Sequence, residues 1–287
     1  MKKPVFALSL SMAVFGTVGL FKRFIPVSAG ELALYRAILA SIVLGLYLLL
    51  TKNPIPFTKI KKQLPLLLLT GAIMGFNWIL LFRAYEYTTV SIATLSYSFA
   101  PVIVTIACPL LFREKLTPWQ LLCFVVSTAG LVLITDINSS GNSHHLTGII
   151  FGLGAAVLYA SVVLMNKFIQ GVNGIHRTFL QFLAAMVVLI PYVALTGGPD
   201  FTKMDATGWL CLLILGVVHT GVTYCVYFSS IAKLPGHKVA LLSYIDPLIA
   251  VLCSVLILHE AMNPWQWVGG GLILGATALS ELMGREK

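Results

Sequence analysis

The chain has 287 residues, of which 58% are hydrophobic and only 10% are charged, and its mean hydropathy is +0.93. This composition excludes a soluble globular domain and indicates an integral membrane protein. The formal net charge of +9 requires no nucleic-acid partner, because basic loops beside a membrane face anionic lipid headgroups.

Apolar runs of membrane-spanning length alternate along the chain with short polar breaks. The breaks fall at 21–30, 51–63, 83–89, 112–118, 136–147, 169–174, 196–206, 229–236 and 259–263. They separate ten apolar segments, called segments 1 to 10 below. Lipid offers no partner for exposed backbone groups, so each segment is predicted to be a helix. The predicted fold is an all-α integral membrane protein with ten transmembrane helices.

The second half of the chain repeats the first. Pro101, Glu114 and Pro118-Trp119-Gln120 recur as Pro247, Glu260 and Pro264-Trp265-Gln266 at a constant offset of 146 residues. Near the start of each copy the offset is 144, where Phe24-Ile25 matches Phe168-Ile169. An odd number of segments in each copy makes the two copies enter the membrane in opposite orientations. We predict inverted five-helix repeats at 1–137 and 148–287, joined by an extracytoplasmic linker at 138–147.

Segment 1 could be mistaken for a cleaved signal peptide. It follows Lys2-Lys3, and Val27-Ser28-Ala29 near its end resembles a cleavage site. Its counterpart in the repeat, 149–169, is internal to the chain, where no signal peptidase would remove it. We therefore expect segment 1 to be a transmembrane helix.

Basic residues test the predicted inversion. The loop after segment 2 holds four lysines and no acid, whereas the equivalent loop after segment 7 holds Asp200, Lys203 and Asp205. With both termini in the cytoplasm, 14 lysines and arginines lie on the inner side and four on the outer side. The positive-inside rule then predicts a multi-pass protein of the plasma membrane with both termini cytoplasmic.

Arg36 is an ionisable residue inside segment 2, about two turns from the outer end of that segment. A charged group inside a bilayer costs about 2–3 kcal/mol even on lenient scales, so its presence needs a reason. A buried guanidinium can clamp a substrate carboxylate or phosphate. The alternative is a structural bridge to Asp246, to Glu31 or to helix carbonyls.

Polar and aromatic side chains in the other segments predict a shared central cavity, since small-molecule sites combine aromatic walls with a few hydrogen-bonding groups. Asn77 and Trp78 in segment 3 are equivalent in the repeat to Thr223 and Tyr224 in segment 8. The predicted substrate cavity comprises Arg36, Asn77, Trp78, Tyr97, Tyr159, Gln181, His219, Thr223, Tyr224, Tyr244 and Asp246. For each of these side chains alone, packing between helices is the competing interpretation.

Asp246 and Pro247 lie together near the middle of segment 9. Proline lacks an N–H, so it frees a carbonyl one turn earlier, beside the carboxylate. That pair suits a proton or cation site, or a contact for a substrate ammonium. Alternatively Asp246 is satisfied by Arg36 or by nearby hydroxyl groups and stabilises a kink. Pro101 lies at the matching depth of segment 4, and we predict that both prolines act as hinges.

The helix starts after segments 4 and 9 have similar chemistry. Thr117 and Asn263 each precede a proline, as an N-cap residue does. Glu114 and Glu260 stand just before them and are expected to be structural, pairing with basic neighbours or capping the next helix.

The cysteines, the linker histidines and the sequence motifs indicate no disulfide, no metal site and no catalytic site. The five cysteines lie in apolar segments without paired spacing, and His144-His145 in the linker lacks the further ligands that a metal needs. HExxH and Gly-x-Ser-x-Gly motifs are absent from the sequence. We expect no catalytic residue, no cofactor and no bound metal.

The paired halves resemble the EamA-type transporters of the drug/metabolite transporter superfamily. The resemblance rests on Arg36 in segment 2, the Ser-Tyr-Ser-Phe-Ala-Pro101 and Ser-Tyr-Ile-Asp-Pro247 stretches, and the repeated Glu-x-x-x-Pro-Trp-Gln turns. It implies a central cavity built from segments 1–4 and 6–9, with segments 5 and 10 at the periphery or in dimer contacts. It also implies alternating access and the export of small metabolites, amino acids or drug-like compounds.

We therefore interpret the chain as a secondary transporter that moves amino acids or related solutes across the plasma membrane, most readily outward. A broad-specificity efflux pump for hydrophobic cations is the alternative, and a membrane-embedded enzyme is the alternative outside transport. The expected partners are a small-molecule solute and the lipid bilayer. A homodimer through segments 5 and 10 is a further expectation, because Gly269-Gly270-Gly271 and Gly275 in segment 10 allow close helix approach.

Overall fold

The computed structural model describes residues 2–55, 60–112, 118–135, 143–231, 233–234 and 242–283. All regular secondary structure in these residues is helical. It comprises α1 (Lys2–Gly16), α2 (Val18–Lys22), α3 (Ala29–Leu50), a 3₁₀ turn (Lys61–Gln63), α4 (Leu64–Tyr87), α5 (Val90–Tyr97), α6 (Ala100–Phe112), α7 (Pro118–Thr135), α8 (Ser143–Asn166), α9 (Gly174–Leu195), α10 (Ala206–Leu213), a π-helix (Ile214–Val222), α11 (Thr223–Ile231), α12 (Ile245–Leu256) and α13 (Pro264–Met283). The all-α prediction is confirmed.

Six helical stretches of the described chain are long and apolar enough to cross a membrane. They are Lys3–Lys22, Ala29–Leu50, Lys61–Tyr87, His144–Asn166, Gly174–Leu195 and Ala206–Ser230, and they correspond to segments 1, 2, 3, 6, 7 and 8. Shorter apolar helices at Val90–Val104, Leu121–Ile134 and Ile245–Leu256 fall in segments 4, 5 and 9. The chain is therefore a multi-pass membrane protein, while the count of ten spans stays a prediction.

Side-chain caps explain where several helices begin. Ser28 accepts a hydrogen bond from Glu31 N, and the Glu31 carboxylate accepts one from Ser28 N, which closes a capping box at the start of α3. Asn263 and Gln266 form the same reciprocal pair at the start of α13, as the sequence predicted for Asn263. Thr117 and Glu114 lie outside the described residues. Helix α8 begins at Ser143, inside the predicted linker.

Three predicted segments are not simple α-helices. Segment 1 breaks at Thr17, between α1 and α2, and segment 8 contains the nine-residue π-helix. Segment 4 breaks after Tyr97, so Pro101 stands in the first turn of α6. Pro247 likewise stands in the first turn of α12. A proline there sacrifices no hydrogen bond, so both residues begin helices rather than kink continuous ones.

Helices from the two halves of the chain pack extensively on each other. Helix α4 packs on α8 and α9, α3 packs on α9 and the π-helix, and α1 packs on α11 and α12. The main hydrophobic core joins both halves, with Leu32, Phe82, Ala155, Phe182 and Leu215 all within 1% of complete burial. The residues between the halves are therefore those best placed to line a central cavity.

Segments 5 and 10 meet through glycines within one chain. A Cβ on Gly130 would come within 2.6 Å of Gly269 O, and a Cβ on Gly269 would come within 2.6 Å of Gly130 O. Gly270 faces Leu95 in the same chain, whereas Gly271 and Gly275 have open space around them. Part of the glycine run thus serves packing within the chain, and the predicted homodimer would have to use the other face.

This contact predicts a matched pair of substitutions. Gly269→Leu should lower the yield of folded, monodisperse protein severalfold, because close helix approach in membranes depends on small residues and an overpacked contact costs about 1–3 kcal/mol. Gly271→Leu, two positions away, should leave the yield near that of the wild type. Fluorescence-detected size-exclusion chromatography of both variants measures the difference, and equal yields would contradict the packing role of Gly269.

Candidate functional site: a charged aromatic cavity between the two halves

Arg36 lies between the two halves of the chain, held by contacts on three sides. Its Nε donates a hydrogen bond to Thr220 Oγ1 over 2.7 Å. The guanidinium carbon lies 4.6 Å from the ring centre of Trp78 and 5.8 Å from that of Phe82, within the range of cation–π attraction. Both Arg36 and Trp78 are only 5% exposed. These contacts fix the position of the guanidinium while leaving its outer edge available.

The outer edge of that guanidinium is unused by the described part of the protein. Neither Nη group makes a hydrogen bond or ion pair with a described residue. Neither Nη atom is among the fully buried side-chain atoms that lack a hydrogen-bond partner, so both keep some exposed surface. A guanidinium has five N–H donors, and only one of the five on Arg36 is engaged here. Four donors therefore remain for a ligand or for water.

Asp246 carries the opposite charge on the far half of the chain. The residue is partly buried, and no hydrogen bond or ion pair joins its side chain to another described residue. It attracts Arg36 electrostatically, but the two groups do not touch. The site thus contains a carboxylate and a guanidinium that are near enough to interact electrostatically but form no direct ion pair.

Tyrosines surround these two charges. The ring centres of Tyr97 and Tyr159 are 5.5 Å apart, and Tyr224 packs edge-on against Phe182 at the same distance. The charge on Asp246 acts on Tyr97, Tyr159 and Tyr224, which places all three near it. Tyr159 is 42% exposed, so the protein leaves part of this side chain uncovered.

Two predicted cavity residues hydrogen-bond between helices, and one of them, Asn77, also hydrogen-bonds the side chain of Tyr97. Asn77 donates to the carbonyl oxygen of Ala155 over 2.6 Å, joining α4 to α8. Gln181 donates to Thr70 Oγ1 over 2.8 Å and to Asn166 Oδ1 over 2.9 Å, which ties α9 to α4 and α8. The amide of Gln181 is therefore engaged away from the Arg36 and Asp246 charges.

The π-helix engages two more of the predicted residues. His219 Nε2 lies 2.7 Å from Thr17 Oγ1, at the break between α1 and α2, and its Nδ1 lies 3.2 Å from Ile214 O. Thr223 Oγ1 donates to Val218 O over 2.7 Å, five residues back. Both side chains support the irregular helix that presents Thr220 to Arg36. Tyr244 is partly buried and lies two residues before Asp246, just before α12.

Several residues of the cavity escaped prediction. Phe82 follows Trp78 by four positions on α4, so the two share one helix face, and that spacing could have marked it. Tyr85 also lies near both charges, and its hydroxyl is 3.4 Å from Thr94 Oγ1. Thr220 carried no sequence signal, because its orientation depends on the π-helix.

Comparison with known proteins places this cavity in context. The model of the EamA-like transporter family matches residues 2–136 and again 146–282. The "Uncharacterized transporter YxxF" of Bacillus subtilis is 28% identical over 96% of this chain and 88% of its own length. The threonine/homoserine exporter RhtA of Escherichia coli K12 is 23% identical over 99% of this chain and 93% of its own length.

Two further similarities extend over nearly the whole chain. Human solute carrier family 35 member G1 is 24% identical over 95% of this chain and 77% of its own length. A crystal structure that is 16% identical covers 99% of both chains with a TM-score of 0.69, which shows a shared fold.

Proposed function

The chain belongs to the EamA-like transporter family, and from that premise we propose that it exports amino acids or closely related zwitterions across the plasma membrane. One observation carries the choice of substrate. The carboxylate of Asp246 and the Nη groups of Arg36, which have no partner among the described residues, lie near the same tyrosines without contacting each other. A solute with one ammonium and one carboxylate would neutralise both charges together.

The charges favour binding because the site is largely removed from water. An isolated charge is costly there, and a partner that supplies the opposite charge with hydrogen bonds recovers much of that cost. The planar guanidinium of Arg36 suits two parallel hydrogen bonds to a carboxylate. Its contacts with Thr220 and Trp78 hold it in place before the solute arrives. The exporter RhtA, named for threonine and homoserine, supports amino acids as the first probes.

We propose that the architecture is ten transmembrane helices in two inverted repeats, with both termini in the cytoplasm. Two family-model matches, to 2–136 and 146–282, support the division into repeats 1–137 and 148–287 with a linker at 138–147. Packing supports a twofold axis, since segment 3 packs on segment 6 as segment 8 packs on segment 1. Alternating access would follow from rocking of these halves.

We assign Pro101 and Pro247 as the hinge positions of that motion. Each stands in the first turn of a helix that follows a break, and the breaks occur at nearly equivalent positions of the two copies. Backbone interruptions of this kind concentrate at binding sites of transporters with inverted repeats. Tyr97 is the last residue before the first of these breaks, and Tyr244 stands immediately before α12.

Counterflow in proteoliposomes tests the substrate class. Vesicles loaded with unlabelled threonine or homoserine should take up radiolabelled threonine several times faster than protein-free vesicles. Isopropanolamine, which lacks the carboxylate of threonine, and β-hydroxybutyrate, which lacks the ammonium, should compete at least about tenfold less well. Competition by either analogue at the strength of threonine would contradict binding through both charges.

An efflux pump for hydrophobic cations is the second candidate, and one observation favours it. Arg36 already bonds to Thr220 and stacks on Trp78, so it could be wholly structural while Asp246 and the tyrosines bind a cation. Accumulation of a cationic dye in the same vesicles, with no threonine counterflow, would select this alternative. The enzyme alternative is set aside, because the family is one of transporters.

A further inference from the structure

Glu260 joins the outer ends of both halves. One carboxylate oxygen pairs with the Arg23 guanidinium, just after α2, and the other accepts the Val90 backbone N–H over 2.7 Å at the first residue of α5. The sequence had assigned Glu260 to basic neighbours or to the helix that follows it. The structure pairs it with the opposite half of the chain, and it caps α5 rather than α13.

A chain of hydroxyl groups extends the same contact toward the cavity. Ser254 Oγ donates to Glu260 over 2.5 Å, and Ser91 Oγ donates to Ser254 Oγ over 2.5 Å. Ser91 N adds a hydrogen bond to Ser254 Oγ over 3.2 Å. Ser91 and Ser254 are completely buried, so α5 and α12 are closed against each other at this level. In a chain of hydroxyl groups that ends on a carboxylate, each hydrogen bond polarises and strengthens the next.

The backbone before Glu260 is held in an unusual conformation. His259 has φ 53°, in the left-handed region that few residues other than glycine adopt. This turn lets Glu260 N hydrogen-bond back to Ser254 O over 3.0 Å, and it directs the carboxylate toward α5. Strained residues persist where the surrounding structure holds them, often at parts that switch between states.

We propose that Arg23, Val90, Ser91, Ser254 and Glu260 form an outer latch that must open each time the cavity faces outward. This proposal rests on the proposed function, because it takes the space between the two halves as the transport pathway. Apart from the hydrogen bond between Ser254 and Glu260, every side-chain contact of the outer latch crosses from the first half to the second. A cavity of about 340 Å³ opens at the other end of α1 and α11, bordered by Lys3, Tyr47 and Lys233, while this end is closed.

A second acidic cluster nearby provides a matched control. Glu86 pairs with Lys22 at 3.5 Å and with Arg83 at 3.1 Å, and all three residues belong to the first half. It has the same charge types at the same end of the molecule as the outer latch. Breaking it removes no contact between the halves, so Glu86→Gln should not affect outward opening.

Cysteine labelling tests the outer latch without a substrate. In a variant whose native cysteines are replaced by alanine, Ser91→Cys should react slowly with a membrane-impermeant maleimide, because that position is completely buried. Glu260→Gln should raise the labelling rate at least about tenfold from the side that also labels Lys203→Cys, whereas Glu86→Gln should leave it unchanged. Equal rates in Glu260→Gln and Glu86→Gln would overturn the proposal.

A disulfide between cysteines placed at the positions of the two buried serines, Ser91 and Ser254, tests whether opening of the outer latch is required for transport. The hydroxyls lie 2.5 Å apart, so cysteines at both positions should cross-link with copper phenanthroline in the native-cysteine-free variant. Threonine counterflow should then fall at least about tenfold and recover with dithiothreitol. Full counterflow by the cross-linked protein would overturn the outer latch. If threonine is no substrate, the proposed function fails, while the labelling result still decides the outer latch.

Discussion

Asp246→Asn should lower threonine counterflow by about tenfold to a hundredfold, because a hydrogen bond to a charged group contributes about 1.5–3 kcal/mol. The carboxylate has no described partner in the protein, so the substitution removes charge from the site without breaking an internal contact. Asparagine has nearly the same shape, which limits the loss to the ammonium end of the solute. Initial counterflow rates across a series of threonine concentrations measure the effect.

Asp205→Asn is the matched control for that experiment. Asp205 caps α10 through a 2.7 Å hydrogen bond from Gly208 N, and asparagine caps helices equally well. Its counterflow should therefore stay near that of the wild type. Inhibition by β-hydroxybutyrate should be the same in Asp246→Asn as in the wild type, since this analogue has no ammonium. An unchanged threonine rate in Asp246→Asn would remove Asp246 from the binding site.

Arg36→Gln should weaken threonine binding at least about tenfold while leaving competition by isopropanolamine unaltered. The physical reason is that four donors of the guanidinium have no partner among the described residues and can bind a carboxylate, which isopropanolamine lacks. Arg36→Lys keeps the charge but loses the planar fork, and should fall between the wild type and Arg36→Gln. Competition curves against labelled threonine separate the three proteins.

Loss of folded protein must be distinguished from loss of binding in this series. Arg83→Gln is the comparison, because Arg83 sits in an exposed ion pair with Glu86, and such pairs contribute about 0–1 kcal/mol. If Arg36→Gln and Arg36→Lys fold normally yet bind threonine like the wild type, Arg36 is structural. The hydrophobic-cation alternative would then be the better account of the cavity.

The sequence predicted the helical membrane fold because apolar length and break chemistry are local properties. Asn263 caps its helix as its type and position indicated, and the breaks near 51–63 and 196–206 lie between helices as expected. What escaped prediction depends on contacts between helices. The π-helix beginning at Ile214 and the break at Thr17 meet through His219, a pairing 202 residues apart in the chain.

For the candidate site, the types of residue were more predictable than their partners. Arg36 and Asp246 stood out because charge is costly in lipid, and the structure places both between the halves. Gln181 stood out because a neutral polar group is also costly in lipid, yet its amide NH₂ group hydrogen-bonds to Thr70 and Asn166. A buried polar residue has the same sequence signal whether its partner is a neighbouring helix or a solute, so only three-dimensional contacts separate the two.

The π-helix has a consequence for how a solute can be oriented. Its equivalent in the first half, α4, is α-helical from Leu64 to Tyr87, and the repeat offset grows from 144 to 146 before this region ends. The two copies therefore differ in helix geometry at the level of Arg36, which contacts Thr220 of the π-helix. A duplicated protein with matching walls would accept a molecule equally well in either direction. Here the broken symmetry leaves one polarity favoured, so a transported zwitterion should travel with the same end leading in every cycle.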